Sequence, residues 1–230
     1  MLLRWWRQRA QQRRVQEAFG RYLRPAMVQR IAENPTAFSL GGELRELTLL
    51  FLEIANFDNL CAELSPMEAR QFLNDYYDES VERILENKGL IDKFLVDGVM
   101  AFFGAPLDDS EHPDHAAQAA IALVNDLRAF NTRRAARKQQ QISIHIGLHT
   151  DSVAIGNIGG RKRLSYSVTG LGVLVASRLP PIARERAISV LATEKTVAML
   201  KRAYKLREVA PIQVADEGTS MRAYELLGNA

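Results

Sequence analysis

Leu90-Ile91-Asp92-Lys93-Phe94-Leu95-Val96-Asp97-Gly98-Val99-Met100-Ala101-Phe102-Phe103 is the stretch whose reading decides the fold. Two apolar runs, residues 90–95 and 99–103, flank an Asp-Gly pair, the signature of a tight hairpin between antiparallel strands. Upstream, Leu47-Thr48-Leu49-Leu50-Phe51-Leu52 is a short, mostly apolar run that reads as a buried strand. Between them, Ser65-Pro66-Met67-Glu68 opens a helix: serine caps, proline suits the first turn, and Glu68 completes a capping box. Ala69, Phe72, Leu73, Tyr76, Ile84 and Leu85 give that helix one apolar face, and Asn87-Lys88-Gly89 closes it with glycine chemistry. The pattern predicts a second helix over residues 113–130, then a second hairpin from residues 141–149 and 153–158. Strand, helix, strand, strand, helix, strand is the order of a ferredoxin-like βαββαβ sheet, an α+β fold. The second hairpin enlarges it. So do a short helix over residues 173–179 stopped by Pro180-Pro181, a strand at 188–191, a helix at 193–200 and alternating strands from 204 to 227.

The chain has 230 residues and a mass of 25.8 kDa, the size of one large domain or of a domain with an appendage. With 47% hydrophobic and 25% charged residues the composition is globular, which excludes a disordered chain. Cys61 is the single cysteine. That excludes an intrachain disulfide framework and a cysteine-rich metal site, and it fits a reducing, cytoplasmic setting. No apolar run nears the roughly 20 residues that span a bilayer, and the apolar stretch at residues 1–6 is too short for a secretory signal. A net charge of +3 is too small to argue for nucleic acid. The excess is local: Arg4, Arg7, Arg9, Arg13 and Arg14 precede the first acid, Glu17.

Residues 1–40 read as a helical extension and 41–230 as the main domain. In the extension Val15, Phe19, Leu23, Met27, Val28 and Ile31 recur at helical spacing, and Pro25 bends the run. Three readings stay open: a solvated helix packed on the domain, a linker or dimerising helix, or a membrane-surface contact through residues 1–14, where Leu2, Leu3, Trp5 and Trp6 stand beside arginines.

Two acids mark the ends of predicted strands. Glu53 closes the first, and Asp97 sits in the hairpin turn. The first strand is expected beside the hairpin strand that precedes Asp97, so both carboxylates could meet at one edge. Paired carboxylates there suit Mg²⁺ or Mn²⁺ carrying a polyphosphate. Spacing alone equally admits two solvated turn acids. His112 and His115 read as a solvated helix start rather than a metal pair. His145 and His149 read as packing or hydrogen-bonding residues, Phe102-Phe103 as core, and Cys61 as an inert thiol.

Residues 94–106, from Phe94-Leu95-Val96-Asp97-Gly98 to Gly104-Ala105-Pro106, resemble the second metal-binding segment of class III adenylate and guanylate cyclases. Ile146-Gly147-Leu148-His149-Thr150 through Val153-Ala154-Ile155-Gly156-Asn157-Ile158-Gly159 resembles a later hairpin of that family. Phe51-Leu52-Glu53-Ile54-Ala55-Asn56-Phe57 stands where the family has its first metal segment. Phe19-Gly20-Arg21-Tyr22-Leu23 resembles the stretch that joins bacterial cyclase domains to sensor or membrane regions. The likeness runs over residues 19–226 in family order.

The resemblance implies two divalent ions, Mg²⁺ or Mn²⁺, on the triphosphate of ATP, with GTP the second choice. The ribose 3′-hydroxyl attacks the α-phosphate, giving a 3′,5′-cyclic nucleotide and pyrophosphate. It also implies a site shared between two chains, in a homodimer or in a heterodimer with another cyclase chain. One chain supplies the metal carboxylates. The other supplies a purine-selecting pair and an Asn/Arg pair. By position, Glu53 and Asp97 would be the metal ligands, and Ile54 and Phe57 would line the nucleotide beside them. Lys93 and Ser167 would read adenine, and Arg178 would stabilise phosphate. Arg161, Lys162 and Arg163 lie in a basic stretch that faces phosphate in relatives.

The departures from the family pattern are as informative. Glu53 replaces an aspartate and is longer by about 1.5 Å, and a misplacement of about 1 Å can cost roughly a hundredfold in rate. Asn56 and Asp58 replace the glycine and threonine of the phosphate-binding turn. Val96 replaces a glycine, where a positive φ would be expensive. Leu171 replaces an aspartate, Ala215 an expected lysine, and Leu174 the asparagine that supports the transition state. Loss of one such oriented contact costs about 10²–10³ in rate. The reading is a cyclic-nucleotide signalling domain of adenylate cyclase type with weak or lost activity. The alternative is an inactive nucleotide-binding or regulatory subunit of another cyclase.

Overall fold

The computed structural model describes residues 42–160, 163–214 and 220–230. The helix expected within residues 1–34, the membrane contact through 1–14, Arg161, Lys162 and Ala215 lie outside the described residues. In chain order the elements are β1 (Glu43–Ile54), α1 (Phe57–Ala62), α2 (Pro66–Glu86), β2 (Leu90–Phe94), β3 (Gly98–Phe103), α3 (His112–Ala136), β4 (Ile144–Gly160), β5 (Arg163–Thr169), α4 (Leu171–Glu185), β6 (Val190–Thr193), α5 (Glu194–Ala198), β7 (Tyr204–Gln213) and β8 (Ser220–Asn229). Seven strands lie in the order β2-β3-β1-β4-β6-β8-β7, and β5 pairs with β4 as the eighth. The βαββαβ order is present as β1-α2-β2-β3-α3-β4 within this α+β fold.

The near-continuous apolar run of β1 follows from a strand covered on both faces. Leu50, Leu52 and Ile54 enter one core with Val99, Ala101 and Phe103, under Phe72, Tyr76 and Ile84 of α2 and the alanines of α3. Leu47, Leu49 and Phe51 enter a second with Met100 and Phe102, against Val168 of β5 and Ala176 of α4. Phe102 and Phe103 are fully buried on opposite faces. The capping box of α2 is formed as expected: the Ser65 backbone N–H donates to Glu68 Oε2 at 2.8 Å, and the Glu68 N–H to Ser65 Oγ at 3.4 Å. At the other end Lys88, not Gly89, takes the left-handed conformation, with φ 63°.

Several expectations need correction. The neighbour of β1 is β3, the strand that follows Asp97, because the hairpin folds back with β2 outermost. Residues 141–158 are not a hairpin. Asp151 and Ser152, which look like a turn, pair with Leu47 and Glu46, and β4 continues unbroken through Gly160. Twelve consecutive register pairs with β1 hold it straight. β4 instead pairs onward with β5, a strand that local pattern did not reveal. Pro180 and Pro181 lie inside α4 rather than ending it. The helix is held there by contact: a Cβ on Gly147 of β4 would lie 2.3 Å from Leu179 Cβ and 3.0 Å from Pro180 Cδ. Leu179 and Ala183 are fully buried with Ile188 and Leu191. That burial offsets the roughly 3 kcal/mol that an interior proline costs a helix.

Candidate active site

The register places Glu53 opposite Gly98 of β3 on one side and opposite His145 of β4 on the other. The Ile54 N–H donates to the Asp97 carbonyl at 2.7 Å. Glu53 and Asp97 are therefore at the same end of the sheet on adjoining chain segments. Gly98 makes this closeness possible, since a Cβ there would meet the Leu52 carbonyl oxygen at 1.8 Å. The loop carrying Asp97 is closed by the Leu95 N–H donating to the Gly98 carbonyl at 2.8 Å. Tyr77 of α2 clamps it from outside. Its hydroxyl donates to the Leu95 carbonyl at 3.2 Å, and its ring lies 4.8 Å from that of Phe94. Burial first, then the charge of Asp97, push the Tyr77 hydroxyl up to about 12, so it remains a protonated donor.

Glu53 has a second neighbour that spacing did not reveal. Arg184, near the end of α4, forms an ion pair with it through Nη1 and Oε1. The Glu53 side chain is 14% exposed and that of Arg184 is 45% exposed. Burial pushes the Glu53 carboxyl above its ordinary value and Arg184 pulls it back. Asp97 pushes it up again and His145 lowers it slightly, leaving it raised. Two carboxylates that repel one another at one edge form a place where a cation is favoured, and hard oxygens are the donors Mg²⁺ and Mn²⁺ take. In kind, the residues fit a divalent ion. The described residues hold no group of three or more His, Cys, Asp or Glu arranged for a metal.

The other sequence-derived residues fall elsewhere. Ile54 and Phe57 are buried in the core with Leu52 and Phe72, so their side chains are taken up by packing. Asn56 takes the left-handed conformation expected of a glycine, φ 53°, and asparagine tolerates it better than other side chains. Asp58 is exposed in the first turn of α1. Val96 is 79% exposed, and it is not among the described non-glycine residues with positive φ, so the strain expected there is absent.

Lys93 lies on the edge strand β2, its ammonium 3.0 Å from Asp92 Oδ2. The Asp92 side chain is fully buried at a β-bulge, neither of its oxygens accepts a hydrogen bond, and its closeness to Lys93 was also missed in the sequence. Ser167 is buried on β5 opposite Gly156. Glu53 is opposite His145. The two positions on β4 are eleven residues apart, roughly 35 Å of extended strand. Arg163 belongs to β5. Arg178 of α4 donates to the Val214 carbonyl at 2.7 Å. Leu171 and Leu174 lie one turn apart on the outer face of α4, 70% and 61% exposed, while Gly172, Val175 and Ala176 face inward.

The histidines are structural, though not as solvated as the sequence suggests. His112 and His115 are buried: His112 Nδ1 bonds Thr48 Oγ1 at 2.8 Å, and His115 Nδ1 bonds Asp109 Oδ2 at 2.7 Å. His145 Nδ1–H donates to the Ile188 carbonyl at 2.7 Å. Thr48 continues to Thr150, Thr196 and Thr193, and Thr193 meets His149 Nδ1 at 2.9 Å. Burial pushes His149 down to about 4. Burial and Asp58 push the Cys61 thiol up, which keeps it protonated and unreactive.

The molecule is an α+β sheet with an acidic pair at one end of β1, an interior strand. The family of the adenylate and guanylate cyclase catalytic domain matches residues 42–228, and the chain belongs to that family. It is 30% identical over 210 residues to Adenylate cyclase 1 of Rhizobium meliloti (strain 1021), covering 91% of this chain and 32% of that protein. It is 31% identical over 189 residues to the Adenylate cyclase of Anabaena cylindrica, covering 79% of this chain and 37% of that protein. The chain thus spans about a third of the length of these curated relatives. The crystal structure of the adenylyl cyclase CyaB from P. aeruginosa superposes with a TM-score of 0.77 at 26% identity, covering 83% of this chain and 98% of that one. No helix among the described residues is long and apolar enough to cross a membrane.

Proposed function

We propose that residues 41–230 form an adenylate cyclase-type signalling domain that acts on ATP, and that its own turnover is weak or absent. The observation that carries this reading is the placement of Glu53 and Asp97 at one strand end, opposite Gly98, in a member of the cyclase family. A divalent ion bound there would screen the triphosphate and favour departure of pyrophosphate. Lys93, oriented by Asp92, would donate to the adenine ring, and Ser167 can donate or accept at its edge. Arg178 would neutralise phosphate charge.

Ser167 and Glu53 are too far apart along β4 to serve one nucleotide from a single chain. The distance supports a site built by two chains, each giving one half. In a homodimer of this chain, Leu174 would offer no hydrogen bond where the family has asparagine. That loss alone is worth about 10²–10³ in rate. Glu53, longer than aspartate and paired with Arg184, adds to it. We place the domain on the cytoplasmic side, where ATP is supplied.

A second reading rests on where the changes fall. Carboxylates remain on the metal side, whereas Leu171 and Leu174 make the outer face of α4 apolar over its first turn. This favours a heterodimer in which another cyclase chain contributes its own asparagine and arginine to Glu53 and Asp97. The test is direct. The purified chain receives ATP or GTP with Mn²⁺, then Mg²⁺, and cyclic product is detected by mass spectrometry. Trace cyclic AMP, increased by a candidate partner cyclase, supports the proposal. Efficient turnover by the chain alone contradicts the impairment, and cyclic GMP in excess contradicts the choice of nucleotide.

A further inference from the structure

Arg184 stands at a place where spacing gave no reason to expect a functional residue. It is the fourteenth residue of the fifteen-residue helix α4 and is 131 residues from Glu53 in sequence, yet its guanidinium meets the Glu53 carboxylate. The helix that carries it has little freedom to withdraw. Leu179 and Ala183 are fully buried, and Leu179 and Pro180 close on Gly147. Arg186, just beyond the helix, donates to the carbonyls of Ala210 and Pro211. Arg178, two turns earlier, donates to Val214. The C-terminal half of α4 is therefore stitched to the strand end at Ala210–Val214 on one side and to Glu53 on the other.

The chemistry at Glu53 is that of a carboxylate with one permanent cation already supplied. An arginine keeps its charge at every physiological pH and holds a carboxylate through directed N–H donors. A divalent ion needs the same oxygens. The guanidinium occupies Oε1, so a divalent ion that takes this oxygen must first turn the guanidinium outward, which the half-exposed Arg184 side chain can do without moving the helix. Asp97, by contrast, makes no ion pair with Arg184 among those found for the described residues; its backbone is fixed at the same strand end and its charge acts on Glu53.

We propose that Arg184 is the residue that sets cation affinity at the Glu53–Asp97 pair, acting as an internal counter-ion that a divalent metal must displace. The inference rests on the reading of Glu53 and Asp97 as a metal pair. It gives that reading a consequence: the domain stays metal-poor at low divalent ion concentration and fills only when the ion, or the ion with a nucleotide's phosphates, outcompetes the arginine. Mg²⁺, which gives up its water reluctantly, is then disfavoured relative to Mn²⁺. Arg184 thereby acts as a positioning residue for Glu53, without touching a substrate.

The experiment titrates Mn²⁺ into the full chain and follows the free-ion signal by electron paramagnetic resonance, with no turnover required. Arg184→Gln should lower the Kd for Mn²⁺ by about threefold or more, the range expected for removing a half-exposed ion pair, and Arg184→Lys by less. The gain should vanish when Arg184→Gln is combined with Glu53→Gln, because the competition is for that carboxylate. A urea midpoint within error of the parent shows that each variant is folded. An unchanged Kd in folded Arg184→Gln, with binding still lost in Glu53→Gln, overturns the role of Arg184 and leaves the metal pair standing. Binding that persists in Glu53→Gln combined with Asp97→Asn overturns the metal pair itself, and the inference with it.

Discussion

At the β1–β3 edge the chain sets two acids, Glu53 and Asp97, and on the outer face of α4 it sets two exposed leucines, Leu171 and Leu174. The edge is built by constraint. Gly98 leaves no room for a side chain against Leu52, Tyr77 clamps the preceding loop, and the register delivers Asp97 next to Glu53. There Glu53 is a carboxylate, and Asn56 holds a left-handed backbone, φ 53°. On α4 the inward face is equally constrained, by Gly147, Leu179 and Ala183, but the outward positions of Leu171 and Leu174 touch solvent and are free to change. What a fold needs for its own stability is retained. What only chemistry needs can be lost without unfolding the chain.

The largest expected effect separates the two regions by rate. Leu174→Asn together with Glu53→Asp should increase cyclic AMP formation with Mn²⁺ by about 10²-fold or more, measured by mass spectrometry. If Leu174→Asn alone gives most of the gain, α4 is the limiting half. If Glu53→Asp alone does, the edge is. No gain from either means that Asp58 or another departure disables the pocket.

Acid offers a second contrast, because the packing beneath α4 depends on a buried neutral histidine. The side chain of Asp151 lies against Gly172 at the start of α4, bonds Lys195 at 2.6 Å and stands 3.9 Å from His149. The unfolded chain protonates His149 below its ordinary value near 6.5, whereas the folded chain refuses the proton until about 4. Stability is therefore fully present above pH 6.5 and falls as pH drops through that window, by about 3 kcal/mol at its lower end. Urea midpoints between pH 7 and pH 4 should show the decline, and His149→Gln should flatten it.

Gly98→Ala attacks the edge instead. It should destabilise the domain by about 2 kcal/mol through overpacking, read from urea denaturation, and weaken Mn²⁺ binding along with it. Ser65→Ala, which removes the cap of α2 far from both regions, should cost only about 1 kcal/mol. It should leave Mn²⁺ affinity unchanged, which makes it the control for the others.

Legibility in the sequence followed the range of the interactions. The β2–β3 hairpin and the α2 cap are local devices, and Asp97-Gly98 and Ser65-Pro66-Met67-Glu68 declare them outright. The apolar run of β1 declared a buried strand, though not which hairpin strand it would join. Asp151-Ser152 misled because a polar pair inside a strand is tolerated when a long partner fixes the register. Pro180-Pro181 misled because helix propensity is weaker than the burial of Leu179 and Ala183 against β4 and β6. At the site, motif positions singled out Glu53, Asp97, Lys93 and Arg178 as candidates. Arg184 left no trace, since its partner is fixed only by the tertiary path of α4. Tyr77 looked like one more position on an amphipathic helix, and Asp92 gained meaning only from the bulge that buries it beside Lys93.

The claim that organises all of this is that Glu53 and Asp97 share a divalent cation. Crystals of the full chain grown with Mn²⁺ and a non-hydrolysable ATP analogue test it through manganese anomalous scattering. The account predicts an anomalous peak about 2.1 Å from one carboxylate oxygen of Glu53 and one of Asp97, with Arg184 turned away. A manganese peak elsewhere in the chain, or none near this pair at saturating Mn²⁺, contradicts it.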